Sequence, residues 1–150
     1  VLFRVVTTVT DKDKKAGGEG LVHWQQHESA PALAARAGKP ILYDFTAAWC
    51  VPCHRLDKEA WGDDGIAGKV NSGFIPARVV DRQREDGKNS GSIQELQKRY
   101  GIQAFPTLVI ADPSGREIAR SEGFRDKDSV IKFLDDNRSA PQGAVVIPRN

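Results

Sequence analysis

The stretch ILYDFTAAWCVPCH, Ile41 to His54, decides how the rest of the chain is read. Its first half, Ile41-Leu42-Tyr43-Asp44-Phe45, is a short apolar run with one acid inside it, which fits a strand covered on both faces better than an amphipathic helix. Its second half opens a helix predicted over Cys50 to Ala60, with Leu56 and Ala60 on one face and charged residues on the other. Cys50 and Cys53 therefore stand where a strand has ended and a helix begins. Free backbone N–H groups and the positive end of the helix dipole face a thiolate placed there.

Outward from this centre, both flanks alternate strands and helices. Upstream, Val1 to Thr10 is β-branched enough for a strand, Asp11 to Gly20 (DKDKKAGGEG) reads as a linker, and Leu21 to Gln25 as a short edge strand. Ser29 is placed to cap a helix with Pro31 in its first turn, which runs to Ala37 and is stopped by Gly38 and Pro40. Downstream, a short helix is expected over Asp63 to Val70, a strand over Phe74 to Asp81 with Pro76 near its start, and a polar loop from Arg82 to Gly91. Ser92 and Glu95 have capping-box spacing ahead of a helix from Ile93 to Tyr100, which Gly101 closes. Thr107 to Ala111, the turn Asp112-Pro113-Ser114-Gly115 and Glu117 to Ser121 read as a hairpin. Asp126 then caps a last helix, Lys127 to Asn137, and Ala140 to Asn150 is a tail.

This order predicts an α/β fold in which helices flank a central mixed β-sheet on both faces, because the crossovers between parallel strands must cover it. One domain from Leu21 to Asn137 is expected, between an N-terminal strand or linker segment (1–20) and a C-terminal tail (138–150), consistent with a length of 150 residues. At 39% hydrophobic and 28% charged, the chain can bury a core, which argues against a disordered protein. Twenty-two basic residues are interspersed with twenty acidic ones for a net +2, so no footprint for nucleic acid is visible. No run reaches the ~20 apolar residues a bilayer requires. With Val1 first and no Met, the chain reads as a processed product or an excised piece, with an export signal or membrane anchor expected outside it.

Three chemistries can use the only two cysteines. In thiol-disulfide exchange, the helix N-terminus lowers the Cys50 thiol into the roughly 3.5 to 7.5 range of such motifs, so Cys50 attacks. Cys53, one turn inward and expected to be the less exposed, resolves. Covalent haem attachment is raised by Cys50-Val51-Pro52-Cys53-His54, which matches C-x-x-C-H, with His23 or His27 as the remaining axial candidates. Zinc is raised by His23 and His27, which with the cysteines would make a two-cysteine, two-histidine set. Asp44 would cost several kcal/mol to bury ionised in its apolar strand, so a raised pKa and a proton-transfer role are coherent. Trp49 beside the nucleophile is suited to shield it and to contact substrate. Pro52 has no N–H for the Cys50 thiolate, which favours a reductant or relay over a protein oxidant. His54 is expected to be a solvated helical residue.

Asp44 to Cys53, together with Phe105-Pro106-Thr107 downstream, resembles the thioredoxin superfamily over roughly Leu21 to Asn137. Within it the likeness is greatest to the thioredoxin-like C-terminal domain of membrane thiol-disulfide interchange proteins and to periplasmic thioredoxin-like reductases, on Lys39-Pro40, the Val51-Pro52 dipeptide and Glu59-Ala60-Trp61. The resemblance implies a protein-disulfide reductase needing no cofactor, with Cys50 and Cys53 as the dithiol and Asp44 accepting the proton of the resolving cysteine. Trp49, Val51, Pro52 and Phe105 are implied to contact substrate, with Pro106 as a cis-proline facing the cysteines. It further implies protein disulfide substrates, a redox partner protein, a monomer and a periplasmic or extracytoplasmic setting; cysteine usage leaves a cytoplasmic setting open, and a redox-inert binding domain that keeps the fold is the alternative to an enzyme. The chain departs from thioredoxin itself in Thr46 where a second Trp is usual, in Arg78 where many members carry lysine, and in the longer loop Arg82 to Gly91.

Overall fold

A computed structural model describes residues 20–138. The strand expected over Val1 to Thr10, nearly all of the linker and the tail from Ala140 fall outside them. Four strands form one sheet in the order β2-β1-β3-β4: β1 (Ile41–Ala47), β2 (Ile75–Asp81), β3 (Thr107–Ala111) and β4 (Glu117–Glu122). β1 pairs parallel with β2, Asp44 opposite Arg78, and antiparallel with β3, Asp44 opposite Leu108. Every residue of β1 is buried, as its unbroken apolar run demands, because helices cover both faces. The mixed sheet expected from the order of elements is thereby present. Pro76 is tolerated because β2 is an edge strand and the proline stands second in it.

The alternation of β1 sends its side chains to two cores. Ile41, Tyr43 and Phe45 pack on α1 (Ala30–Ala37) through Ala30 and Ala34 and on α5 (Gly91–Arg99) through Ile93 and Leu96. Leu42 faces the other way, into Leu56 of α2 (Val51–Leu56), Ile66 and Val70 of α3 (Asp64–Gly73), and Val130 and Leu134 of α6 (Lys127–Asp136). Each fully buried Leu, Ile or Phe contributes about 1.5–3 kcal/mol, so these layers hold the strand that carries Asp44 in place.

Several expectations are corrected. Leu21 to Gln25 is not a strand but a segment touching the sheet through one bridge, Gln25 to Ala77. The helix after the cysteines is α-helical only from Val51 to Leu56 and continues as a π-helical turn over Asp57–Trp61. The loop after β2 contains a short helix, α4 (Gln83–Asp86). Ser90, not Ser92, stands at the start of α5; the Ser92 hydroxyl meets His27 Nε2 at 3.0 Å and donates to Glu28 at 3.3 Å, so no capping box forms. Ser29 precedes α1 without a side-chain cap. Asp126 does cap α6, accepting from the Ser129 N–H at 2.8 Å.

Candidate active site

Cys50 is the N-cap of α2, its backbone extended at φ −83°, ψ 110°, and its sulfur accepts from the Cys53 N–H at 3.2 Å. Cys50 and Cys53 are joined as a disulfide with Cα atoms 5.2 Å apart. The strand end and helix start expected around the pair are therefore where the structure puts them. One detail differs: Cys50 is not the more exposed in any useful sense, since the two residues are 3% and 2% exposed. Position along the helix, not exposure, is what distinguishes them. Val51 and Pro52 lie outside, Val51 at 70% exposure. Phe105 packs on Ala47, Cys50 and Cys53, and its peptide bond to the buried Pro106 is cis. The Trp49 ring stands edge-on to Phe105, centroids 6.0 Å apart, and remains 40% exposed. All five residues expected to contact substrate thus surround the disulfide or flank it in sequence.

Asp44, on β1 six residues before Cys50, is fully buried. Its Oδ2 accepts from the Trp61 indole N–H at 3.0 Å, while Oδ1 has no hydrogen-bond partner. Arg78 on the neighbouring strand brings Nε to 3.7 Å from Asp44 and donates through Nη2 to Asp57 at 2.7 Å, so one guanidinium is shared by two carboxylates. Burial wins over that attraction: the Asp44 carboxyl is pushed up to about 6, against the pull of Arg78 and the Trp61 hydrogen bond. Burial also raises Asp57 above the usual range, despite Arg78. Trp24 closes this cluster, stacked under Arg78 at 4.5 Å and edge-on to Trp61 at 5.6 Å.

Asp57, Trp61 and Trp24 carry no signal in the sequence that marks them as site residues. For Trp61 the reason is geometric. Eight residues after Cys53 it falls within the ordinary apolar stripe of a helix, so its spacing marks it only as a core residue, buried with Ala60 where the helix continues as a π turn.

The metal and haem ligand sets are not assembled. Among the described residues no three His, Cys, Asp or Glu side chains converge as a metal site. His27 is engaged with Ser92 and Glu28, His54 Nε2 with the Ala48 carbonyl at 2.6 Å, and His23 lies exposed.

A buried cysteine pair at a helix N-terminus, with a cis-proline next to the Phe105 that packs on it, defines a thioredoxin-fold dithiol site. Residues 28–138 match the family described as thioredoxin-like domain, and the chain belongs to that family. It is 30% identical over 104 residues to the thiol:disulfide interchange protein DsbD of Actinobacillus pleuropneumoniae, covering 68% of this chain and only 17% of that relative. Among solved structures it resembles a thioredoxin from Thermus thermophilus, with a TM-score of 0.65 and 24% identity over 77% of this chain and 85% of that one. It also resembles the oxidised C-terminal domain of Neisseria meningitidis DsbD, with a TM-score of 0.57 and 24% identity over 71% of this chain and 87% of that one. Membership of this family together with the paired cysteines places the chain among the thiol-disulfide oxidoreductases.

Proposed function

We propose that the chain passes electrons to disulfides in protein partners, working as a reductase or relay. The observation that carries this reading is Cys50 at the helix cap, its sulfur receiving the Cys53 N–H while within bonding reach of the Cys53 sulfur. In the reduced chain the Cys50 thiolate attacks one sulfur of a partner disulfide; the S–S bond breaks and the other partner sulfur leaves as a thiolate that takes a proton. Cys53 then gives its proton to the Asp44 carboxylate and attacks Cys50, releasing the second partner thiol and closing the Cys50–Cys53 disulfide. Two electrons have moved to the partner, and a redox partner protein must return them.

A carboxyl near 6 suits this use, since it is ionised enough at neutral pH to accept a proton and close enough to neutrality to return it. Pro52 removes one backbone donor from the Cys50 sulfur and leaves that of Cys53, which supports the reducing direction. Trp49, Val51, Pro52 and Phe105 would meet the partner, with Pro106 aligning its backbone. An extracytoplasmic setting beside a membrane-anchored partner or domain accords with the DsbD likeness; among the described residues no helix is long and apolar enough to cross a membrane.

A Cys53→Ser variant should retain the far-UV spectrum of the wild type and accumulate a mixed disulfide through Cys50, detectable on non-reducing gels, while insulin reduction is lost. A wild type that reduces no disulfide, with a Cys53→Ser variant that captures none, would overturn the proposal.

A further inference from the structure

The segment between β2 and α5 is not an idle loop. Asp81 at the end of β2 accepts from the Gln83 N–H at 3.0 Å, from Asn89 Nδ2 at 2.8 Å and from Gln97 Nε2 at 2.8 Å, and the Asn89 side-chain carbonyl accepts from the Arg82 N–H. Asn89 and Asp81 are both buried. Both ends of the segment are thus tied to one buried carboxylate, and α4 is held over the active site.

What α4 delivers there is Arg84. Its guanidinium carbon lies 3.5 Å from the centroid of the Trp49 ring, the residue that precedes Cys50. Arg55, Arg78, Arg82, Arg116, Arg120 and Arg125 each stand within ion-pair distance of a carboxylate, but Arg84, itself exposed, has no such partner among the described residues. One face of the guanidinium is covered by the indole, and the residue is exposed. Stacking fixes the plane of a fork of donors, which reduces the freedom lost when a carboxylate is bound in two-point fashion. The carboxylates that would compete are Asp81, whose carboxyl is lowered in part by the Arg84 charge, and Glu85, which follows it on α4.

We propose that Arg84 selects partners, favouring disulfides whose cysteine is flanked by an aspartate or glutamate and disfavouring those flanked by lysine or arginine. This rests on the reductase reading above. Arg84 is a specificity-determining residue that meets the partner chain near the reacting sulfur and takes no part in the exchange itself. Its charge steers and orients the incoming peptide, an effect that weakens as salt rises.

Three disulfide peptides, identical except for Asp, Ser or Lys beside the cysteine, test this with the reduced wild type, Arg84→Gln and Arg84→Glu. The wild type should favour the Asp over the Lys peptide about fivefold in kcat/KM at low ionic strength, carried mainly by KM, with the preference fading in ~0.5 M salt. Arg84→Gln should bring the ratio near one and Arg84→Glu should invert it, while the reduction potential stays as in the wild type. Equal rates for Asp and Lys peptides with the wild type would overturn the proposal. So would Arg84 variants that slow all three peptides alike with a changed potential, since Arg84 would then act on the sulfur and not on the partner. Failure of the wild type to reduce any of the three would sink the reductase reading, and the selectivity with it.

Discussion

Two acids on neighbouring strands, Asp44 in β1 and Asp81 at the end of β2, are both buried and behave in opposite ways. Asp81 is pushed up by burial, but side-chain donors from Gln97 and Asn89 and the Gln83 N–H outweigh it, and its carboxyl is held below the usual range. Asp44 has one hydrogen bond, from Trp61, an orphaned Oδ1 and a guanidinium too distant to bond, and its carboxyl rises to about 6. Burial raises both, but Asp44 is fully enclosed whereas Asp81 keeps 8% exposure and several donors, so depth of burial and number of donors together decide the sign. The saturated acid is an anchor that orders the segment above the cysteines; the starved acid is able to change its charge near neutral pH.

The starved acid gives the largest expected effect. Asp44 titrates near an ordinary 3.8 when unfolded and at about 6 when folded, so between those values the native state binds more protons and stability falls as pH rises. Below the lower value both states are protonated and nothing is lost; above the upper value the full cost of the buried charge is present. That cost is about 3 kcal/mol by the linkage relation. Asp44→Asn should therefore stabilise the oxidised protein by about 2–3 kcal/mol at pH 7 and by almost nothing at pH 4, read from urea unfolding at the two pH values. A variant equally stabilised at both, or destabilised at pH 7, would show that Asp44 carries no buried charge.

The saturated acid should respond with the other sign. Asp81→Ala strips the shared acceptor from Gln83, Asn89 and Gln97 and leaves buried donors unmatched, a loss of about 2 kcal/mol. Hydrogen exchange should show residues 82–90 losing protection while β1 and β3 keep theirs. A segment that stays protected without Asp81 would mean that packing, not the carboxylate, holds α4 in place.

The same contrast divides features that the sequence displays locally from those that only the folded chain assembles. β1, the helix start at Cys50 and the hairpin are legible because each carries a local signal: an unbroken apolar run, a strand-to-helix junction, and the turn residues Asp112 to Gly115. Asp44 stands out because an acid in an apolar strand is a conflict visible on one line. Asp81 does not, since an acid followed by a polar segment looks solvated; its donors come from Asn89 and Gln97, further along the chain. The Arg82 to Gly91 stretch looks like a loop because its polar residues satisfy a buried carboxylate and not an apolar core. Ser92 looks like a cap because the residues have the right spacing, and only the approach of His27 and Glu28 takes its hydroxyl away. Gly101 closes its helix as expected, at φ 59°, because a left-handed turn after a helix depends on that residue alone.

The smallest expected effect separates donor count from burial directly. Trp61→Phe keeps most of the ring volume but deletes the N–H that Asp44 Oδ2 receives, leaving the carboxylate buried with no hydrogen bond. Two consequences should follow and can be told apart. Poorer packing against Trp24 lowers stability by about 1 kcal/mol at every pH, a uniform offset. Loss of a bond to the charged form pushes Asp44 higher still, so the descending limb of stability against pH should move upward by about one pH unit or less. An offset without that displacement would mean the indole contributes volume only, and burial with the neighbouring charges of Arg78 and Asp57 would then set the charge of Asp44. A displaced limb would make Trp61, buried on the π turn, the residue that keeps the acid's titration low enough to serve a dithiol at neutral pH.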